Sequence, residues 1–512
     1  VAHALDPVHP RPVSLADVAR ASLTDPGAGT GTVTGVALAT ADVRPGMLFA
    51  ALPGRHGHGA DHAGAARRAG AAAVLTDADG ADRAGRSGLP VLVVDDPRAR
   101  LGAVARTVYG TDRLPFPVFG VTGTNGKTST VHLLDALLRR LGRRSGLSST
   151  VERRVVDRAG PSVLTTPEAP ELHAFLARAA EEHVGGVALE VSAQGLTRQR
   201  MDGVVVDVAG FTNLSHDHFD DYADMDEYLR AKALLFTPER SRAGVVSLDS
   251  AAGRRIVELA TVPVTTISAD PRTAADWRVR ILDEGPDGTR STVTAPDGTT
   301  IAVDSPLIGA HMAANAGLAL AMLAASGIPL ADLVAATADR LEVVVPGRMS
   351  DASLADGPRV YVDFAHTPDA FEKSLAAIRS FATGRVAIVL GADGDRDPSK
   401  RRLMGVVAAT AADVVVVADH HPRFEEPAPI RAAILAGARS VGLGALVVEE
   451  PDPHDAVRRA VAEVGADGVV YWAGPGLTDY RDVAGRHLPY SSFRDARAAL
   501  VEAGYGSLVV HN

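Results

Sequence analysis

Short apolar runs separated by polar, glycine-rich turns organise the start of the chain. Val33 to Leu38, Leu48 to Leu52, Ala71 to Leu75 and Val91 to Val94 recur in this way over residues 1–110, the pattern of a small α/β domain. The stretch Thr111-Asp112-Arg113-Leu114-Pro115-Phe116-Pro117 reads as a linker, because two close prolines disfavour helix and ladder alike. From 118 to 344 strand runs alternate with helical spacings. Phe119 to Thr122 leads into a helix from about Lys127, and Gly186 to Val191 and Val204 to Thr212 read as further buried strands. This alternation predicts a largely parallel sheet with helices on both faces. A second boundary falls near Pro346-Gly347. Beyond it Val386 to Leu390, Asp413 to Ala418 and Gly468 to Trp472 are apolar runs at helical separations, which predicts a Rossmann-like domain. The expected division is α/β throughout: an N-terminal domain 1–113, a central P-loop domain 114–344 with a mainly parallel sheet, and a C-terminal domain 345–512.

Composition narrows the classes of function. A chain of 512 residues is too long for one core and suits three domains. The net charge of −10 and pI near 5.9 argue against nucleic-acid or membrane-surface partners, which want a clustered basic face. With no cysteine, disulfides, thiolate metal sites and cysteine nucleophiles are excluded. The first residues have neither a basic stretch nor an apolar core, and no uncharged apolar run approaches 18 residues, so a cytoplasmic chain is expected. Only four lysines, Lys127, Lys232, Lys373 and Lys400, stand among 52 basic residues. Where arginine is the default cation, a surviving lysine marks a candidate position at which a guanidinium will not serve.

Candidate chemistry begins at Gly120-Val121-Thr122-Gly123-Thr124-Asn125-Gly126-Lys127-Thr128. A strand enters a glycine-rich turn, and the helical pattern of Val131, Leu134, Leu138 and Leu141 follows. Such a turn curls backbone N–H groups around phosphate oxygens at a helix N-terminus. Lys127 would reach the β- and γ-phosphates and the Thr128 hydroxyl would ligate Mg²⁺. Val121 breaks the usual Gly-x4-Gly-Lys-Thr spacing by one residue, leaving Gly-x-x-Gly-Lys-Thr.

That compressed loop, with words further along, resembles the Mur ligase superfamily, and within it the tripeptide synthetase (MurE) branch. Thr165-Thr166-Pro167-Glu168 resembles its sugar-nucleotide-contacting word, Glu190-Val191-Ser192 its Glu-x-Ser, and Thr212-Asn213-Leu214-Ser215-His216-Asp217-His218 its Thr-Asn-Leu-x-x-Asp-His. Ala231-Lys232 matches the lysine that the family carbamylates. Pro346-Gly347-Arg348 and Asp363 to Asp369, including His366, resemble ATP-contacting words, and Gly394-Asp395-Arg396-Asp397 and Pro422-Arg423 complete the set. The resemblance covers nearly the whole chain. It implies an ATP-dependent ligase that activates a carboxylate as an acyl phosphate and condenses it with an amine, acting as a monomer with two Mg²⁺ ions. Lys127, Glu190, His218 and Lys232 would be catalytic, with Thr128, Glu190, His218 and carbamylated Lys232 as metal ligands. ATP would meet Gly123 to Thr128, Asn315, Arg348, Asp363 and His366. The carboxylate substrate, UDP-MurNAc-L-Ala-D-Glu or an analogue, would meet Thr40, Thr165, Thr166, Ser192 and Arg200. An L-amino acid, usually meso-diaminopimelate or L-lysine in that branch, would meet Arg396, His420, His421, Arg423, Gly474 and Thr478.

The residues depart from the family words at telling places. Asp-Ser-Arg at the uridine site reads Ala39-Thr40-Ala41, which keeps one hydroxyl and loses both charges. Met312 stands where an asparagine is usual in the adenine word Gly309 to Asn315. Asp-Asn-Pro-Arg reads His420-His421-Pro422-Arg423, and Gly-Lys-Gly-His-Glu reads Gly474-Pro475-Gly476-Leu477-Thr478. Cations are retained there and anions lost, which favours a neutral or acidic incoming side chain over a basic one. The His420-His421 pair is not expected to bind a metal, because adjacent residues on a strand end point apart. Two further functions remain open at this point: a paralogue with a different amino acid or acceptor in a specialised pathway, and a non-catalytic nucleotide- or muropeptide-binding relative. The intact Lys127, Glu190, His218 and Lys232 argue against the second.

Overall fold

The computed structural model describes residues 4–24, 30–54, 57–160, 162–217, 219–442 and 444–506. Three sheets follow one another along the chain. The first is parallel, in the order β1 (Val36–Ala37), β2 (Leu48–Ala50), β3 (Ala73–Thr76) and β4 (Val91–Val93). The helix α1 (Pro97–Tyr109) packs on it, capped by Asp96 and closed by Gly110 in the left-handed region. Thr40 sits just past β1, at the carboxyl edge of this sheet, where open α/β sheets receive ligands.

The central sheet has eleven strands. In chain order they are β5 (Val118–Thr122), β6 (Gly146–Ser148), β7 (Arg153–Val155), β8 (Arg158–Gly160), β9 (Val187–Glu190), β10 (Val206–Phe211), β11 (Ser241–Ser247), β12 (Val264–Ser268), β13 (Trp277–Gly285), β14 (Gly288–Thr294) and β15 (Thr300–Ser305). Their order across the sheet is β8-β7-β6-β9-β5-β10-β11-β12-β13-β14-β15. From β6 to β13 every pairing is parallel, so the middle of the sheet is as expected. Both ends turn antiparallel, through β7–β8 and through the meander β13–β14–β15. The meander was legible but unread. Trp277, Val279 and Ile281 alternate with arginines, and two Pro-Asp-Gly turns (at 286–288 and 296–298) separate the strands. β5 lies between β9 and β10, and its carboxyl end delivers the glycine-rich turn to α2 (Lys127–Arg140). The apolar helix α3 (Ala310–Ala325) packs against α2 and the sheet, and carries Asn315 towards the same turn.

The third sheet runs β16 (Ser350–Asp351), β17 (Arg359–Asp363), β21 (Val469–Ala473), β18 (Val386–Leu390), β19 (Val414–Val417) and β20 (Leu446–Glu449). All its pairings are parallel except β16 on β17. Valine-rich strands buried on both faces fit this geometry, since helices cover each side. The loops at the carboxyl ends of β17, β18, β19 and β21 hold Phe364 to His366, Ala392 to Arg396, Asp419 to Arg423 and Gly474 to Thr478. A hairpin of β22 (Tyr480–Val483) and β23 (Arg486–Pro489) follows the last of these. Among the described residues, no helix is long and apolar enough to cross a membrane.

Candidate active site

The turn between β5 and α2 is shaped by close packing. Gly126 has φ +87°, and a Cβ there would stand 2.7 Å from the Asn315 side-chain oxygen. A Cβ on Gly123 would fall 1.9 Å from the Thr212 hydroxyl, so both glycines are required for the loop to close. Lys127 is folded back on this loop, its ammonium donating to the carbonyls of Thr124 (2.8 Å) and Gly123 (3.1 Å). Burial pushes its pKa below the usual lysine value; the carboxylates of Glu190 and Asp217 pull it back up, and Arg348 adds to the fall. Thr124 lies buried near Tyr228, while Asn125 donates 2.8 Å to Asp369 of the C-terminal domain.

A chain of polar contacts runs from this loop through the site. Arg348 donates to the Thr128 hydroxyl at 3.2 Å, and Thr128 donates to Glu190 at 3.0 Å. Glu190 also receives the backbone N–H and hydroxyl of Thr150, at 2.8 and 3.0 Å. The Thr150 hydroxyl in turn meets that of Thr165 at 2.9 Å. Beside it, Thr166 donates to the Glu190 carbonyl and contacts the Ser192 hydroxyl at 3.2 Å. Arg200 lies 3.1 Å from Glu168 and caps the far side of this group. Thr150 was not anticipated: it belongs to no word singled out in the sequence, and only the pairing of β6 with β9 brings it to Glu190.

Lys232, on the helix Met225–Ala233, is 1% exposed and donates to the Gly123 carbonyl at 2.7 Å. Its ammonium also lies 4.1 Å from the centre of the Tyr228 ring. Burial drives its pKa well below that of an ordinary lysine, the nearby Lys127 charge adds to the fall, and Asp217 opposes it. Lys127 and Lys232 thus share the Gly123 carbonyl. His218, the fourth residue expected in this group, lies outside the described residues.

Arg348 stacks over the Phe364 ring at 4.8 Å. Asp363 organises the loops around it. Its two oxygens accept the backbone N–H groups of Met349 (2.8 Å) and Ala365 (2.6 Å), which ties together the loops that carry Arg348 and His366. His366 is partly exposed at the junction, 3.7 Å from Asp217. Arg396 reaches Asp220 of the central domain at 3.5 Å.

Of the six residues predicted to meet the amino acid, His420, His421 and Thr478 line a cleft at the carboxyl ends of β19 and β21, together with Tyr480 and Arg481 among others. Two expectations need correction here. β19 ends at Val417, so His420 and His421 lie in a loop rather than on a strand, and their rings stand 4.1 Å apart instead of pointing away from one another. Nor has the site lost its anions. Asp393, unremarked in the sequence, places one oxygen 2.7 Å from His420 Nδ1 and the other 3.1 Å from Arg423. Burial alone would raise the Asp393 carboxyl, but the His420 hydrogen bond and the positive charges of His420, His421 and Arg423 hold it well below the usual range. Asp393, His420 and His421 bring ligand-type atoms within 4.8 Å of one another. The Arg423 guanidinium on the carboxylate, and the Asp482 N–H donated to His421 Nδ1 at 3.0 Å, make this cluster a hydrogen-bond network. The His421 ring is pushed down to about 4, by burial first and then by the His420 charge.

Three successive α/β domains, a phosphate-binding turn at the central sheet and a C-terminal domain closing over it define an ATP-dependent ligase. Family models match along the chain: the Mur ligase family catalytic domain over residues 32–109, the Mur ligase middle domain over 121–323, and the Mur ligase glutamate ligase domain over 347–476. The chain belongs to the Mur ligase family. It is 51% identical to a UDP-N-acetylmuramyl-tripeptide synthetase of Leifsonia xyli subsp. xyli, over 92% of both chains. It is 44% identical to a UDP-N-acetylmuramoyl-L-alanyl-D-glutamate–2,6-diaminopimelate ligase of Streptomyces avermitilis, again over 92% of each. A solved structure of a ligase with that second name matches with a TM-score of 0.63 and 28% identity, over 93% of this chain and 96% of the other.

Proposed function

We propose that the chain extends UDP-MurNAc-L-Ala-D-Glu by one L-amino acid, in the cytoplasm and as a monomer, through an acyl phosphate made from ATP. The observation that carries this reading is the contact chain from Arg348 through Thr128, Glu190 and Thr150 to Thr165. It joins the nucleotide loop to the hydroxyls expected at the acceptor, so the γ-phosphoryl and the D-glutamyl carboxylate would meet along it. Lys127 and Arg348 place positive charge where the phosphoryl transfers, and the loop holds that charge before the substrate arrives. One oxygen of the substrate carboxylate attacks the γ-phosphorus and ADP leaves; the amine then attacks the acyl carbon, expels phosphate and loses its proton.

Two Mg²⁺ ions would be held by Thr128, Glu190, His218 and Lys232. The Thr128 and Glu190 oxygens are 3.0 Å apart, a spacing suited to two ligands of one small hard cation. His218 and Lys232 would hold the second. When bound, the ions neutralise charge on the phosphates and on the attacking carboxylate. Lys232 fits a carbamate, because its burial keeps the amine neutral and so able to attack CO₂. The N–C bond forms as the amine loses a proton, and the resulting anion would supply a metal ligand that the neutral amine does not.

ADP release tests the reading. Release should require UDP-MurNAc-L-Ala-D-Glu and an amino acid together, and should fall to background with UDP-MurNAc-L-Ala, which lacks the carboxylate to be activated. Equal turnover with the shorter acceptor would overturn it.

A further inference from the structure

We propose that His420, oriented by Asp393, reads the side chain of the incoming amino acid, and that this side chain is uncharged and carries a hydroxyl or amide group that pairs with His420 Nε2. The proposal rests on the reading of the C-terminal cleft as the amino-acid site. Its first support is an unmet polar atom. His420 lines the cleft, and its buried Nε2 has no hydrogen-bond partner among the described residues, while Nδ1 on the other side of the ring is fixed by Asp393 at 2.7 Å. A ring held at one nitrogen presents the other in a defined direction, as histidines backed by carboxylates do. That edge faces Gly474, where an added Cβ would come into van der Waals contact with it at 3.7 Å, so the glycine leaves that side of the ring uncovered by a side chain.

The second support is charge balance. Arg423 is answered by Asp393, and Asp419 by Arg431 and, at 4.0 Å, by Arg481. Asp482 receives the Gly485 N–H. Asp419 is the one carboxylate among the residues that line this cleft, and it is already paired, so an ammonium brought in would meet an engaged anion and two guanidiniums close by. A carboxylate would stand near Asp393 and Asp419, with both arginines already engaged. Either ion is left uncompensated in a partly dehydrated space. The remaining polar lining, Thr478 and Tyr480, is neutral. A hydroxyl or amide both donates and accepts, so it satisfies Nε2 whichever tautomer His420 adopts. A purely apolar side chain would leave Nε2 without a partner.

Steady-state kinetics with ATP and UDP-MurNAc-L-Ala-D-Glu test this across matched amino acids: L-serine against L-2-aminobutyrate, L-homoserine against L-norvaline, with L-glutamine, L-lysine, meso-diaminopimelate and L-glutamate. The expected result is that the best substrate bears a hydroxyl or amide and exceeds its apolar counterpart and every charged amino acid at least tenfold in kcat/KM. H420A should collapse the hydroxyl-to-apolar ratio to within about threefold, chiefly through KM for the amino acid, with KM for ATP as the control for folding; H420Q, which keeps a hydrogen-bonding side chain, should restore part of the ratio. A charged or apolar best substrate, with H420A still changing amino-acid KM, would overturn the side-chain assignment alone. If H420A and T478A left the KM of every amino acid unchanged, the placing of the amino acid in this cleft would itself be wrong.

Discussion

The ammonium of Lys400 lies 2.9 Å from the carboxylate of Asp217, both side chains are buried, and the pair joins the C-terminal domain to the central one. Around it His216 meets Ser399 at 2.8 Å, Arg396 meets Asp220 and Asn125 meets Asp369. The pair therefore belongs to the contact that holds the C-terminal domain against the nucleotide loop and the segment 213–220. Removing one partner of a buried pair costs about 3–5 kcal/mol. K400M should lower kcat at least tenfold and leave a more extended molecule in small-angle scattering with a non-hydrolysable ATP analogue. A variant keeping more than half of its kcat would take the pair out of the catalytic cycle.

On the proposed reading Lys127 acts on phosphate charge, and among the described residues its hydrogen bonds go to backbone carbonyls of its own loop. K127A should therefore keep its circular dichroism and thermal midpoint while turnover falls below a tenth of the native value. Lost stabilisation of a transferring phosphoryl group typically costs several kcal/mol.

For Lys232, K232A should be nearly inactive and partly recovered by acetate, which supplies the missing carboxylate. Native activity should fall when CO₂ and bicarbonate are stripped and return when they are restored. Full activity in CO₂-free buffer, or in K232A without acetate, would remove the carbamate.

Acid should loosen the fold well before the carboxylates protonate. Burial pushes His132, His173 and His311 down to about 4, against about 6.5 for a free histidine. Between those values the unfolded chain binds more protons, so their contribution is fully present above pH 6.5 and is lost as pH falls towards 4. Each adds a slope of up to about 1.4 kcal/mol per pH unit in that window. His173 accepts the Thr111 hydroxyl and donates to the Asp202 carbonyl, which places it between the linker and the central domain. In H173Q, urea titrations at pH 5 and pH 7 should differ less than in the native chain. An unchanged difference would show that His173 takes no part.

The nucleotide loop, the order of the family words and the parallel heart of the central sheet were all legible along the chain. Their signals are local: a strand period, a glycine where φ is positive, an apolar helical stripe. The antiparallel meander at 277–305 was equally local, written in alternation and Pro-Asp-Gly turns. The four lysines carried a hint of a different kind: two lie at the nucleotide loop and two in contacts between the central and C-terminal domains. Lys127 and Lys232 share the Gly123 carbonyl, Lys373 binds the Asp369 that also receives Asn125, and Lys400 holds Asp217.

Tertiary structure alone decided the rest. Thr150 reaches Glu190 across 40 residues through a parallel strand pairing, and no spacing rule anticipates it. Asp363 resembles a nucleotide contact in sequence, and only the fold shows that its two oxygens also tie together the loops of Met349 and Ala365. The balance of charge in the amino-acid cleft turned on Asp393, 27 residues before His420, which looks like an ordinary loop acid until β18 and β19 lie side by side. Residue type along the chain sets which charges exist, but their mutual distances set which of them cancel, because a carboxylate paired at 2.7 Å and 3.1 Å is no longer available to a substrate.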